Sequence, residues 1–397
     1  MSTIFEHTLI DADTGISQPT FHLDASRLPT AGDLSWQIVK YTLRGGLQEG
    51  VEVIEIDNGE LSFAILPTRG MGIWKGWHRD TPLGWNSPVK DPVHPAFVDL
   101  NDRGGLGWLK GFNEWIVRCG LDSNGAPGED VVIDNNGNEA TVFLPLHGKI
   151  ANTPARKVMV SVTDEGVLSV TGEVDETMMF GPALRLTTTI TTKIGSNELT
   201  IHDRVTNLNR SPTELELLYH CNYGDPLLEQ GGRIVAPFKS VSPRDPRAQE
   251  GIDEFHCIFK PTNGYVEQCY YYELASRPSG ATCVLLRNRA GNLGSALRFN
   301  LNELPAFTVW KNTGARENGY VTGLEPATNY PNQKRFERQQ GRVVRIAGRG
   351  SYDVTLTVGA YATRAAIRGI EQEIQRIQGR RKTVVNQQLQ PHLSDLG

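Results

Sequence analysis

The sequence offers little to several large functional classes. Its five cysteines, Cys119, Cys221, Cys257, Cys269 and Cys283, are odd in number, widely spread and without a CxxC pair. That pattern argues against a disulfide framework or a compact zinc site and fits reduced thiols. No apolar run approaches the length of a membrane span. The opening residues, MSTIFEHTLIDAD, lack a basic stretch followed by an apolar one, so no signal peptide is visible and a cytoplasmic location is expected. The sequon Asn209-Arg210-Ser211 then carries little weight. An excess of one charge is missing too: 40 basic residues face 45 acidic ones, a net charge of −5. Such a balance leaves no electrostatic footprint for nucleic acid or an anionic membrane. P-loop, dinucleotide-binding and HExxH motifs are absent. The glycine-rich stretch Gly104–Gly111 matches none of them and reads as structural. The nine histidines are scattered, which leaves open only metal ligands distant in sequence.

What the chain does have is a period of two. Val51–Ile56 and Leu61–Leu66 flank Asp57-Asn58-Gly59, a hairpin signal because both central turn residues must tolerate positive φ. The same device recurs at Asn135-Asn136-Gly137, Asp164-Glu165-Gly166 and Gly195-Ser196-Asn197. Further strands are predicted over 213–221, 281–287, 306–311, 341–346 and 352–361. Tight hairpins without intervening helices imply antiparallel sheets packed as a large β-sandwich. One helix is predicted at Thr363–Arg381, where Ala366, Ile367, Ile370, Ile374 and Ile377 recur at three- and four-residue steps. The expected organisation is a lead-in with edge strands (1–49), a β-sandwich domain (50–362), and a C-terminal helix with a polar, loosely held tail (363–397). Residues 68–130 differ: they hold five of the seven tryptophans among Gly, Pro and Asn. A segment this long and irregular is usually functional or disordered, and it is too aromatic for disorder. It is expected to fold over one end or face of the sandwich, with most of its tryptophans in the core.

Three segments carry candidate chemistry. By strand alternation, His220 and Asn222 share a face of Leu217–Tyr223 just before the strand ends at Gly224. That suits a polar pocket, and equally a hydrogen-bonded structural histidine. His147 precedes Gly148, which permits close backbone approach, but a turn histidine is as good an account. Glu325, in Leu324-Glu325-Pro326, has apolar or conformationally fixed neighbours. Such surroundings raise a carboxylate's pKa and suit a general base, unless the group simply caps backbone amides. Charged or polar groups at strand ends or in the aromatic segment add Arg69, Asn113, Arg118 and Lys311 as pocket candidates.

His147-Gly148, His220-Cys221-Asn222 and Leu324-Glu325-Pro326 with Pro331, in that order over roughly residues 50–362, resemble the aldose 1-epimerase (galactose mutarotase) superfamily. The chain looks like a divergent branch of aldose-epimerase-like proteins, many without an assigned activity. The resemblance implies a galactose-mutarotase-like β-supersandwich, with a monosaccharide or derivative bound in an open cleft and no cofactor. It implies Glu325 as general base toward the anomeric hydroxyl, His220 as general acid toward the ring oxygen, and His147 as a substrate-binding residue. The chain departs from ordinary galactose mutarotases after the second histidine, where Cys221-Asn222-Tyr223 stands, and this bears on the choice of sugar. A sugar isomerase, epimerase or lyase using the same pair is one alternative; a non-catalytic carbohydrate-binding protein is another. A homodimer would form through an exposed strand edge or the C-terminal helix.

Overall fold

The computed structural model describes residues 2–28 and 34–396. Among them the strands build a 10-stranded sheet, a 14-stranded sheet and a separate two-stranded hairpin. The hairpins expected from local turn chemistry are all present. Glu52–Asp57 pairs with Leu61–Leu66 around Gly59, whose φ is 87°. In the smaller sheet, Lys157–Thr163, Val167–Thr177, Ala183–Lys193 and Glu198–Asn207 run as consecutive antiparallel neighbours, and Ser351–Tyr361 returns to close the set. Their alternation is strict. Leu184, Leu186, Thr188 and Ile190 are buried while Arg185, Thr187 and Thr189 are half-exposed. These inward rows meet Ile54, Ile56, Phe63, Ile65, Leu217 and Tyr219 of the larger sheet in one continuous core. The result is the sandwich expected from the sequence, with the two sheets sharing inward-facing side chains.

The first residues are woven into this architecture. Thr3–Asp11 pairs with Lys157–Thr163 in the smaller sheet, and Gln37–Thr42 pairs with Glu52–Asp57 in the larger one. The C-terminal helix runs Arg364–Gln378, with the Thr363 hydroxyl accepting from the Ala366 amide at its N-cap. Ile367, Ile370 and Ile374 are buried against Cys283, Leu285 and Ala296 on the outer face of the smaller sheet. The tail beyond the helix is held more firmly than its polar composition suggests. Val384–Val385 adds a parallel strand beside Ser240–Val241, and Leu393 and Ser394 are buried. The Leu393 carbonyl accepts from Asn332 Nδ2 at 2.9 Å. No helix among the described residues is long and apolar enough to cross a membrane.

Candidate active site

The strand Thr213–Tyr223 sends Leu215, Leu217, Tyr219, Cys221 and Tyr223 into the core between the sheets. The alternate residues, Glu216, Leu218, His220 and Asn222, therefore face away from it, on the outer face of the larger sheet. Pairing of Leu218 with Ala327 and of Cys221 with Leu324 sets His220 directly across from Glu325 on the Val321–Ala327 strand. Glu325 in turn pairs with Thr308, Thr308 with Tyr271, and His220 with Val117. One row of side chains thus crosses the sheet: Val117, His220, Glu325, Thr308, Tyr271. Around it Cys119, Leu218, Cys269 and Ala327 form an apolar floor.

On that floor His220 Nε2 and Glu325 Oε1 lie 3.1 Å apart. The contact is off the axis of a hydrogen bond, and Oε1 has no other polar partner in the protein. The tautomer of His220 is fixed from behind. Asn222 Nδ2 donates to the carbonyls of Glu114 and His220, at 3.0 and 3.1 Å, so its Oδ1 must face His220 Nδ1, 2.5 Å away. Nδ1 therefore carries the proton, and in the neutral ring Nε2 presents a lone pair to Glu325. Burial pushes Glu325 up to about 8 and His220 down to about 3, the latter helped by the neighbouring His147. At neutral pH one exchangeable proton therefore resides on the couple, carried by Glu325, and the dry surroundings favour this uncharged arrangement.

His147 completes the group. Its ring centroid is 5.6 Å from that of His220. Its Nδ1 donates to the Asn124 carbonyl at 2.8 Å, which leaves Nε2 as the outward atom. Burial lowers its pKa to about 4, so it too is neutral at pH 7. The backbone here is unusual: His147 has φ 58° and Gly148 φ 69°. A side chain on residue 148 would lie 2.1 Å from the Ser123 carbonyl oxygen, so glycine is required there. A non-glycine residue in the left-handed region costs roughly 1 kcal/mol, strain that aims the imidazole at the pair. Gly323 is equally constrained, because a Cβ there would meet Glu325 Oε1 at 2.6 Å and His220 Cε1 at 2.8 Å.

The aromatic segment folds over this face, as expected. Trp108 and Phe112 pack against His220 with ring centroids 6.2 and 5.1 Å away, and Trp310 stands on a further side at 5.4 Å. Of the five clustered tryptophans, Trp108 and Trp115 are buried, whereas Trp74, Trp77 and Trp85 are half-buried and line a cavity. Two charged residues unnoticed in the sequence act on the site. Arg244, whose Nη2 lies 3.1 Å from Glu267 Oε1, and Glu267, which accepts from Trp310 Nε1 at 2.6 Å, both perturb Glu325 and His147 electrostatically. The sole signal for Arg244 is a charged pair set between prolines, Pro243-Arg244-Asp245-Pro246, and none marks Glu267.

Four of the other sequence candidates have their polar groups engaged by the protein. The Arg69 guanidinium is saturated by Glu114 Oε1, Asn152 Oδ1 and the carbonyls of Val93 and Gly111, so it pins the aromatic segment to the sheet. Arg118 points into the sandwich, where it pairs with Asp203 of the opposite sheet and donates to Thr188 and Met71. Lys311 pairs with Thr322 and faces away from Glu325; its ammonium, pushed down to about 7 by burial, donates to the Glu254 carbonyl at 2.9 Å. Asn222 is fully buried behind His220, where it orients the ring rather than meeting a ligand. Replacing Asn222 by leucine is expected to free the His220 ring, so that nitrogen-15 NMR shows both neutral tautomers in place of the Nδ1–H form alone. A single unchanged tautomer would remove that role. Asn113 differs from these four: neither amide atom has a partner in the protein.

Comparison with known proteins places this geometry in a lineage. Residues 48–360 match the family described as Domain of unknown function (DUF4432). A candidate aldose 1-epimerase from Klebsiella pneumoniae is 34% identical, with 98% of each chain covered and a TM-score of 0.91. A galactose mutarotase-like protein from Clostridium acetobutylicum shares the fold at 14% identity, with a TM-score of 0.56 over 81% of this chain and 98% of its own. A candidate aldose 1-epimerase from Escherichia coli K12 does so at 14% and 0.53, over 79% and 100%. None of the curated proteins matches the chain. The chain therefore belongs to the DUF4432 family, within the aldose 1-epimerase (galactose mutarotase)-like superfamily.

Proposed function

We propose that the chain interconverts the anomers of a monosaccharide or a close derivative by acid/base ring opening. The observation that carries this reading is the His220–Glu325 pair, a buried imidazole and a buried carboxyl 3.1 Å apart. Ring opening of a cyclic sugar needs one proton removed from the anomeric hydroxyl and one delivered to the ring oxygen, with no net change. A couple holding a single proton matches that demand. Glu325 is the base and His220 the acid in this scheme. Since the resting proton favours Glu325, it passes from Oε1 to Nε2 when sugar hydroxyls donate to the carboxylate and stabilise its charge. His147 Nε2 faces the substrate and hydrogen-bonds a hydroxyl. Reclosure after rotation about C1–C2 runs the same transfers in reverse. The Glu114 carbonyl, through Asn222, holds the acid in register.

The pH dependence tests the proton count. Activity requires the one-proton state, which is lost when Glu325 and His220 are both deprotonated, above about pH 8, and when both are protonated, near pH 3. The expected profile of kcat/KM is flat through neutrality, with a single falling limb near pH 8. A limb near 6.5, where an ordinary imidazolium loses its proton, would contradict the assignment. An isomerase or lyase at the same pair would show a new product in the same assay.

A further inference from the structure

We propose that the cavity walled by Trp74, Trp77, Trp85 and Asn113 is a second carbohydrate subsite. It would hold the sugar unit next to the one being opened, so that the substrate is an oligosaccharide with a free reducing end. This rests on reading His220 and Glu325 as the acid/base couple of a sugar.

The cavity measures about 450 Å³, within the range of small-molecule sites. It lies on the catalytic face of the larger sheet. Ile73 pairs with Ile116, and both belong to the main core, whereas the next residue, Val117, pairs with His220 on the outer face. Trp74 packs on that outer face against Val51, Val53, Ala64 and Leu66. A break in register between Ala64 and Ile65 inserts Trp74 as an extra residue on its strand. The bulge lets consecutive residues Trp74 and Lys75 project on one face, which a regular strand forbids. Lys75 Nζ then sits 4.0 Å from the Trp74 ring and 5.2 Å from the Trp77 ring. With the ammonium over Trp74, the Trp77 and Trp85 rings are left to meet a pyranose, which presents apolar C–H faces and a rim of hydroxyls.

Two features tie the cavity to a ligand and to the catalytic pair. Asn113 lines the cavity and is 4% exposed, and neither its Nδ2 nor its Oδ1 has a protein partner. A buried amide left unsatisfied costs about 1–3 kcal/mol unless something fills its valences, and a vicinal pair of sugar hydroxyls can do so. Phe112, the preceding residue, stands between the two places, its ring 5.1 Å from that of His220 and 4.9 Å from that of Trp85. Two linked pyranose rings cover such a distance. The acidic group on the cavity wall, Asp225, is already held by Arg316 at 2.6 Å and Lys75 and Lys90 line the same wall, so the site disfavours a cation.

The test compares anomeric exchange, followed by NMR, on a panel of reducing disaccharides and on their reducing-end monosaccharides. Trp77 is half-exposed and outside the catalytic pair, so Trp77→Ala is expected to fold. For at least one sugar pair the disaccharide should show a KM about 10-fold lower than the monosaccharide. Trp77→Ala and Asn113→Ala should each abolish that advantage, with kcat retained and the monosaccharide KM unmoved. No disaccharide advantage across the panel, or a KM change shared equally by both sugars, would overturn the subsite. Methyl glycosides of the same disaccharides separate this idea from the catalytic one, because they bind but cannot open. Tryptophan fluorescence titration should show them binding wild type and Glu325→Gln alike and Trp77→Ala about 10-fold more weakly, whatever becomes of the exchange reaction. No binding by any of them would again overturn the subsite.

Discussion

Replacing Glu325 by glutamine is expected to slow anomeric exchange by roughly 10²–10⁴-fold, the usual cost of removing a positioned general base. Glutamine keeps the size and hydrogen-bonding outline of the protonated acid, so the apolar floor and the His220 ring stay where they are. What disappears is the ability to lose and regain a proton at Oε1. Stability should move the other way. The native protein holds a proton on Glu325 up to about pH 8, whereas the unfolded chain releases it near the ordinary glutamate value. Between those two values the folded state binds more protons than the unfolded one, so wild-type stability falls as pH rises through this window. Glu325→Gln escapes that loss and should be more stable than wild type at pH 8 by on the order of 2–4 kcal/mol. A variant whose stability falls with pH as steeply as that of wild type over the same window would mean that Glu325 is ionised in the native state. An unchanged exchange rate would remove it from the mechanism.

Replacing Arg118 by leucine is expected to destabilise the fold by about 3–5 kcal/mol, the range for breaking a buried ion pair from one side. Arg118 joins the two sheets. Its Nη2 lies 2.9 Å from Asp203 Oδ1, and Tyr219 donates to Asp203 Oδ2 at 2.7 Å. Leucine would leave a carboxylate with no counterion in the middle of the sandwich. Removing that charge as well, in Arg118→Leu with Asp203→Leu, should recover much of the loss, because desolvation of the orphaned charge is the larger part of the damage. Urea denaturation of the two single variants and the double variant gives the coupling. Were Arg118 instead a ligand for the sugar, the single variant would keep its stability and lose binding.

That contrast shows where sequence reading worked and where it could not. The Asn58-Gly59 hairpin and the alternation that turns His220 and Asn222 away from the core are local properties, fixed by turn chemistry and by the period of a strand. They were legible, and so was the burial of Glu325 among apolar neighbours. The roles of Arg69, Arg118 and Lys311 were not. A charged group at a strand end needs a partner, but the chain does not say whether that partner is a ligand or a residue far along it. Arg69 finds Glu114, 45 positions away, and Arg118 finds Asp203, 85 positions away. The pairing of Val384–Val385 with Ser240–Val241 is hidden for the same reason: a two-residue strand has no period to read. Strands Gln268–Leu274 and Gly294–Asn300 also went unread, although the first supplies Tyr271 to the site row. Family likeness brought His147, His220 and Glu325 together on paper; sheet register explains why the last two meet.

Turnover of a sugar by this pair underlies the proposed function. Its most direct test is saturation-transfer NMR of anomeric exchange with the wild-type protein, across monosaccharides, reducing disaccharides, uronic acids and sugar phosphates at pH 7. Exchange well above the spontaneous rate is expected for at least one of them, with no product other than the opposite anomer. Sugars that bind across the panel without any acceleration of exchange would contradict it, and would make the pair part of a binding site rather than a catalyst.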